Sequence, residues 1–380
     1  MRRRHLAALV ATLLLVSMVA VAAPASAISG GSISGETEFP FMALLFADAG
    51  GGSYYPACAG VLVGPTKIVT AAHCAAANPE LAVLGETNLD DMLAESPESE
   101  FLEIVGIQVH PGYDTNEYER DVAVLTLSSA SQADPVIVAK PSQSGLWSDA
   151  KSTRVAGWGY TSSSDSELSK DLRDALLPIL SDDECQTTGT TVGCAGGRGP
   201  GICSGDSGGP ALVNNAAGDP VLVGVLAYAA GDCASTEPGY FMRLGQDPIN
   251  SWLKIQLDVT SPRVKTATPT GTGVDRDGNV KAVFTEKMRT ATLSDSTFKL
   301  FREGNDGSWV RVNDVAVRPS TDGKNAVLNP FGRSAGRLAP RTKYKAIVTT
   351  DALDLARNAL DQNRTRNGNQ PKVWFFKTGG

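Results

Sequence analysis

The sequence predicts an all-β chain in two parts: a β-rich body that ends in one short helix, then a smaller β-sandwich. Three observations carry this. Short runs of β-branched and apolar residues, bounded by Gly, Pro, Asn or Asp, recur from residue 41 to residue 377, as strands and tight turns require. All six cysteines fall between Cys58 and Cys233, in the body. The charge also divides near residue 258: residues 28–258 carry 30 acidic and 10 basic side chains, whereas residues 259–380 carry 11 and 21. A formal charge of −7 over 380 residues therefore hides an acidic body and a basic tail, and the length itself favours more than one domain.

Along the chain, Arg2-Arg3-Arg4, an apolar stretch over 6–23 and the triplet Ala25-Ser26-Ala27 have the form of an export signal cut after Ala27. No other stretch is apolar for long enough to span a bilayer, so the mature protein is expected to be secreted and soluble. In an exported chain Cys58, Cys74, Cys185, Cys194, Cys203 and Cys233 read as three disulfides, and spacing alone leaves all fifteen connectivities open. No metal centre of zinc type is expected: no Cys-x-x-Cys pair occurs, and only His73 and His110 follow the leader.

Strands are expected over 41–46, 58–63, 67–70, 84–88 and 101–110, with Gly64-Pro65 as the turn between the second and third. The acidic loop 90–100 offers carboxylates to a hard cation, so a structural Ca²⁺ is an expectation there. Further strands are expected over 122–125, 154–159 and 221–230. Asp247-Pro248 supplies an N-cap and a first-turn proline for a helix with Trp252, Ile255 and Leu257 on its apolar face, ending near Asp258. Residues 259–273, rich in Thr, Pro and Gly, read as a linker. Strands over 280–285, 297–301, 310–317, 344–349 and 373–377 then alternate with turns in a domain over 274–380, the pattern of a β-sandwich.

The chemistry concentrates in Cys203-Ser204-Gly205-Asp206-Ser207-Gly208-Gly209-Pro210. Glycines let backbone N–H groups approach a bound carbonyl, and a hydroxyl beside them suits acyl transfer. Thr70-Ala71-Ala72-His73-Cys74 places an imidazole, the side chain suited to general-base work near neutrality, in a loop that a cysteine can pin. Asp121, just before the apolar run 122–125, can orient a histidine from a buried position.

These segments, with Ile28-Ser29-Gly30-Gly31 and Ala156-Gly157-Trp158-Gly159, resemble the trypsin/chymotrypsin family of serine endopeptidases in order and spacing over 28–258. The resemblance implies two packed antiparallel β-barrels with the active site in the cleft between them. It implies Ser207 as nucleophile, His73 as base and then acid, and Asp121 as the group that orients His73. The N–H groups of Gly205 and Ser207 would form the oxyanion hole, and no cofactor would be required. The implied disulfides are Cys58–Cys74, Cys185–Cys194 and Cys203–Cys233. A free Ile28 α-amino group would pair with Asp206, and since no Lys or Arg precedes Ile28, removal of the leader would itself make the active end. The rival is a cut after Ala22 that leaves a short pro-segment. Trypsins carry an acid six residues before the nucleophile, where this chain has Gly201. Together with Ala229 opposite Gly239, this implies cleavage of proteins or peptides after small to medium apolar residues. Ala227 replaces the family's usual Ser and removes a hydroxyl near Asp121.

Residues 261–378 resemble a bacterial Ig-like domain, on Ser261-Pro262-Arg263-Val264, Val283-Phe284-Thr285-Glu286-Lys287-Met288, Asp354-Leu355-Ala356-Arg357-Asn358 and Phe375-Phe376-Lys377-Thr378. Its basic balance suggests an anionic cell-wall polymer as partner, or docking onto the acidic body. A monomer without nucleic-acid partners is expected. The competing class is a surface or cell-wall binding protein on a catalytically weak protease scaffold.

Overall fold

The computed structural model describes residues 28–380 except 116–118, 150, 163, 188, 198, 230–232, 234–236, 333–335, 364 and 367. The export signal expected over 1–27 lies outside the described residues. Among the described residues the first strand is β1 (Ser32–Ile33), which joins a later sheet. Six strands then close into a barrel: β2 (Met42–Gly50), β3 (Ser53–Gly64), β4 (Lys67–Thr70), β5 (Leu81–Leu84), β6 (Glu100–Val109) and β7 (Ala123–Leu127), in the order β2-β3-β4-β7-β6-β5. The strand expected over 84–88 is displaced. Asn88 instead caps the short helix α1 (Leu89–Leu93), its side-chain oxygen accepting from the amides of Asp90 and Asp91, a role for which Asn is well suited.

The second half of the body is a rolled sheet built from β8 (Ile137–Val138), β9 (Ser152–Gly157), β10 (Arg173–Pro178), β11 (Val192–Gly196), β12 (Pro210–Asn214), β13 (Pro220–Ala229) and β14 (Pro238–Arg243), with the one-turn helix α2 (Asp182–Cys185) leading into β11. The path runs β1-β10-β9-β12-β13-β14-β11, with β8 parallel to β13. Unlike the first barrel, this sheet does not close as a continuous ladder among the described residues; the bridge from Ile179, just after β10, to Ala195 of β11 brings its two sides together. Helix α3 (Ile249–Gln256) finishes the body, and the Asp247 carboxylate accepts from the Ser251 amide. Its buried face is Ile249 and Leu253, with Trp252 half-buried, whereas Ile255 is exposed. The face expected from Trp252, Ile255 and Leu257 is thus rotated.

The stretch 259–273 is not a linker along its whole length. It supplies β15 (Val264–Thr268) and the start of β16 (Gly271–Val274), both largely exposed edge strands in which Thr and Gly are tolerated because only one face packs. The remaining strands are β17 (Val280–Phe284), β18 (Phe298–Glu303), β19 (Trp309–Arg311), β20 (Ala316–Pro319), β21 (Asn325–Asn329), β22 (Lys343–Val348) and β23 (Lys372–Thr378). They form two sheets, β15-β17-β21-β20 and β16-β23-β22-β18-β19, around a core that includes Phe284, Phe298, Leu300, Tyr344 and Phe376.

This sandwich rests on the body. The Asn358 side-chain amide donates to the Asp258 carbonyl at 2.6 Å and to Asp354 Oδ2 at 2.9 Å. Lys67 of β4 is buried, and its ammonium donates to Thr126 Oγ1 at 3.0 Å. Burial lowers its pKa; Asp354 of the sandwich opposes that shift and Arg357 adds to it. A cavity of about 370 Å³ lined by Lys67, Val105, Gln256 and Val259 from the body, and by Ala356 and Arg357 from the sandwich, lies at the junction.

Candidate active site

His73 begins a short 3-10 helix, His73–Ala77, which the Cys58–Cys74 disulfide ties to β3. Two contacts fix the ring. The His73 backbone amide donates to Asp121 Oδ1 at 2.8 Å, and Nδ1 lies 2.7 Å from Asp121 Oδ2. Asp121 is fully buried just before β7, so the carboxylate is held by the barrel and the imidazole by the carboxylate. Nδ1 thus faces the carboxylate, and Nε2 lies 3.7 Å from Cys74 Sγ. The other histidine is differently placed. His110 is buried edge-on to Trp252 at 5.1 Å, accepts from the Gly112 amide, and has its pKa lowered by burial first and Arg120 second.

Ser207 sits in the loop before β12. Its carbonyl accepts from Ala59 of the first barrel, and the next amide, Gly208, donates to Leu226 of the rolled sheet, so the loop is clamped from both halves of the body. Gly205 has φ +90, a left-handed conformation closed to most side chains, and a Cβ there would meet Leu168 and Gly159. The N–H groups of Gly205 and Ser207 find no acceptor among the described residues. The Ser207 hydroxyl donates to the Ala227 carbonyl at 3.3 Å. His73, whose ring meets Asp121, and Ser207 line one cavity of about 380 Å³.

Asp206 points the other way. It is fully buried, and its carboxylate accepts from the Gly159 amide on Oδ1 and the Cys203 amide on Oδ2, each at 2.8 Å. The glycines of Ala156-Gly157-Trp158-Gly159 make its room: a Cβ on Gly157 would come within 2.2 Å of Oδ1. Burial pushes its pKa up to about 7, against the two amides that pull it down. Ile28 is fully buried in the core of the rolled sheet, with Ser29 bridged to Gly201. The disulfides Cys185–Cys194 and Cys203–Cys233 complete the set, and all three pairings are those that the resemblance implies.

The cavity wall is apolar on one side. Gly201 is buried and presents no side chain; Ile202, Leu226, Ala227, Tyr228 and Ala229 line the space with the Cys203–Cys233 bridge. Gly239 faces Ile202, and a Cβ there would approach within 2.6 Å. Tyr228 stacks on Tyr240 at 4.5 Å, and its phenol is pushed up to about 12 by burial, by Tyr240 and by Asp121.

A family profile described as Trypsin matches residues 28–253, and a second, described as Bacterial Ig-like domain, matches residues 258–378. The chain belongs to the trypsin family. It is 32% identical to a trypsin of Saccharopolyspora erythraea over 57% of this chain and 93% of that protein. It is also 30% identical to glucanase inhibitor protein 2 of Phytophthora sojae over 68% and 91%, and 30% identical to trypsin-3 of Salmo salar over 50% and 80%. Membership makes the body a serine-protease domain of the chymotrypsin fold and the tail a bacterial Ig-like domain. Among the described residues no helix is long and apolar enough to cross a membrane.

Within this trypsin-family site, Ile202 is one lining residue that sequence reading missed. Its only signal was its place between Gly201 and Cys203. Tyr113 and Thr115, which reach the cavity from the first barrel, carried no signal at all. In the acidic loop expected to hold Ca²⁺, Asp90 pairs with Lys170, while the neighbouring Glu86 is spent on the amides of Thr87 and Asn88 and on Ser96. Among the described residues the carboxylates that converge are Asp258, Glu286 and Asp354, at the junction of the two domains.

Proposed function

We propose that this protein is a secreted serine endopeptidase that hydrolyses peptide bonds after small to medium apolar residues, without a cofactor. The single observation that supports it best is the 2.7 Å contact of His73 Nδ1 with buried Asp121, in a cleft shared with Ser207, the arrangement for which this family is the type example. For attack, the Ser207 hydroxyl leaves the Ala227 carbonyl and gives its proton to His73 Nε2 while Oγ bonds to the substrate carbonyl carbon. The oxyanion takes the N–H groups of Gly205 and Ser207, each such donor being worth about 3 kcal/mol of barrier. His73 returns the proton to the departing amine, and water repeats the sequence to release the acyl group. The apolar wall at Ile202 and the bare Gly201 favour an uncharged side chain, since a buried cation would lack a partner.

Export follows from the leader, and three disulfides suit an oxidising compartment. Cutting after Ala27 frees the Ile28 ammonium for Asp206, so that export and activation are one event. The basic Ig-like domain takes an anionic cell-wall polymer, and the enzyme works as a monomer.

The relatives named glucanase inhibitors favour a second reading, a binding protein on a protease scaffold. A fluorophosphonate probe separates the two. Labelling of the wild type, with loss in Ser207→Ala at unchanged thermal stability, supports the peptidase; an unlabelled wild type that begins at Ile28 and is fully folded refutes it.

A further inference from the structure

The sheet β16-β23-β22-β18-β19 turns one face to the sandwich core, through Phe298, Leu300, Tyr344, Ala346, Trp374 and Phe376. Strand alternation sends the residues between them outward. There Arg311, Phe301, Lys345 and Phe375 stand opposite one another across four strands. In the next row Trp309 faces Glu303, and Lys343 faces Lys377. The outward positions of β18, β19, β22 and β23 thus carry five cations, Lys299, Arg311, Lys343, Lys345 and Lys377, against one acid, Glu303.

These groups are not a random solvated surface. Lys345 Nζ lies 4.9 Å from the Phe301 ring centre and 4.7 Å from that of Trp309. Lys343 Nζ lies 5.6 Å from Trp309 and 5.5 Å from Phe375, whose rings are 5.6 Å apart. Phe375 remains 46% exposed and Val373 40%. Large exposed aromatics cost hydration, and a cluster of them marks a surface that meets something. The Lys345 ammonium is held by rings and that of Lys343 by rings and by Glu303 at 3.5 Å, so a bound anion need not pay to order them.

We infer that this face binds a linear acidic polysaccharide: carboxylates or phosphates on the lysines, and the C–H faces of the sugar rings on Trp309 and Phe375. The charge division supports a polyanion and places it on the tail alone, because the body, with 30 acidic residues against 10 basic, repels it. The inference deepens the reading of the tail as a polymer binder and rests on it.

The test is native affinity electrophoresis of the full chain, with Trp fluorescence, at low salt. Polygalacturonate is the probe; dextran, poly-glutamate and a dT oligonucleotide are the comparators. The expected result is retardation and quenching by polygalacturonate, at least tenfold tighter than by any comparator. Lys343→Glu with Lys345→Glu, and separately Trp309→Ala with Phe375→Ala, each weaken it tenfold or more, while cleavage of a small peptide substrate, which also reports folding, is unchanged. Equal binding of poly-glutamate overturns the sugar-stacking element, and tighter binding of dT overturns the polysaccharide in favour of nucleic acid. Wild-type binding that both double variants retain overturns the assigned face and leaves the polymer reading standing. A wild type that binds no polyanion overturns both.

Discussion

Asp121 and Asp206 are both fully buried on the approach to Ser207, yet their surroundings differ in kind. Asp121 meets an imidazole at 2.7 Å, a partner that turns cationic when it takes a proton. Asp206 meets two backbone amides, and they do not offset the loss of water: its pKa rises to about 7. Holding it ionised costs on the order of 4 kcal/mol relative to an ordinary carboxylate. One carboxylate has its counter-charge within the folded chain. The other has only the backbone amides of Gly159 and Cys203, and the activation we propose would bring it the Ile28 ammonium.

The largest effect should come from Asp121→Asn. Reversing the hydrogen bond to Nδ1 puts the proton on the wrong nitrogen, and kcat should fall by about 10⁴-fold, as in the family's type member. Steady-state kinetics on a chromogenic peptide measures it, and a loss under tenfold breaks the contrast.

Asp206→Asn sharpens it. In the chain that starts at Ile28 the change leaves a buried ammonium unpaired, a loss of about 3–5 kcal/mol, and activity should drop at least about 100-fold. In a refolded chain that keeps residues 23–27 the same change removes a buried charge, and above pH 7 it should raise the melting temperature. The same sign in both chains would remove Ile28 as the partner.

The pH dependence follows from the same group. A carboxyl whose folded pKa is raised holds its proton more tightly in the folded state, so its contribution is complete below about pH 4 and is lost as pH rises through about 7. Thermal melts of the leader-bearing chain should therefore fall from pH 5 to pH 8. In the mature chain the ammonium reverses the shift, and the melt over that window should be flat or rising. The smallest effect is expected for Ala227→Ser. An added hydroxyl near Asp121 supplies one hydrogen bond of about 1 kcal/mol, so kcat should change by less than about tenfold.

The site was legible because its chemistry demands particular residue types. Only two histidines follow the leader, and the hydroxyl sits in a glycine run that little else would require. The role of Gly157 and Gly159 as the space that Asp206 fills was not legible, since it depends on segments almost 50 residues apart. Ile202 escaped for the same reason: what makes it a wall is Gly239 facing it across the sheet. In the fold, strands with two buried faces were easy, such as β13 with seven buried residues in its centre. Edge strands were not. Thr and Gly in β15 and β16 look like linker because an exposed edge accepts them. The strand expected over 84–88 failed because Asn88 prefers the cap of α1 to a ladder.

The seating of the Ig-like domain on Lys67 has a practical corollary. The span between α3 and β15 is only residues 257–263, and two contacts within it, from Asn358 to the Asp258 carbonyl and from the Asp361 amide to the Pro262 carbonyl, tie it to the sandwich. A nick there would leave two fragments clasped rather than released. If the sandwich adheres to a polymer as we propose, so short a connection would keep the cleft near the point of attachment and limit what it could reach.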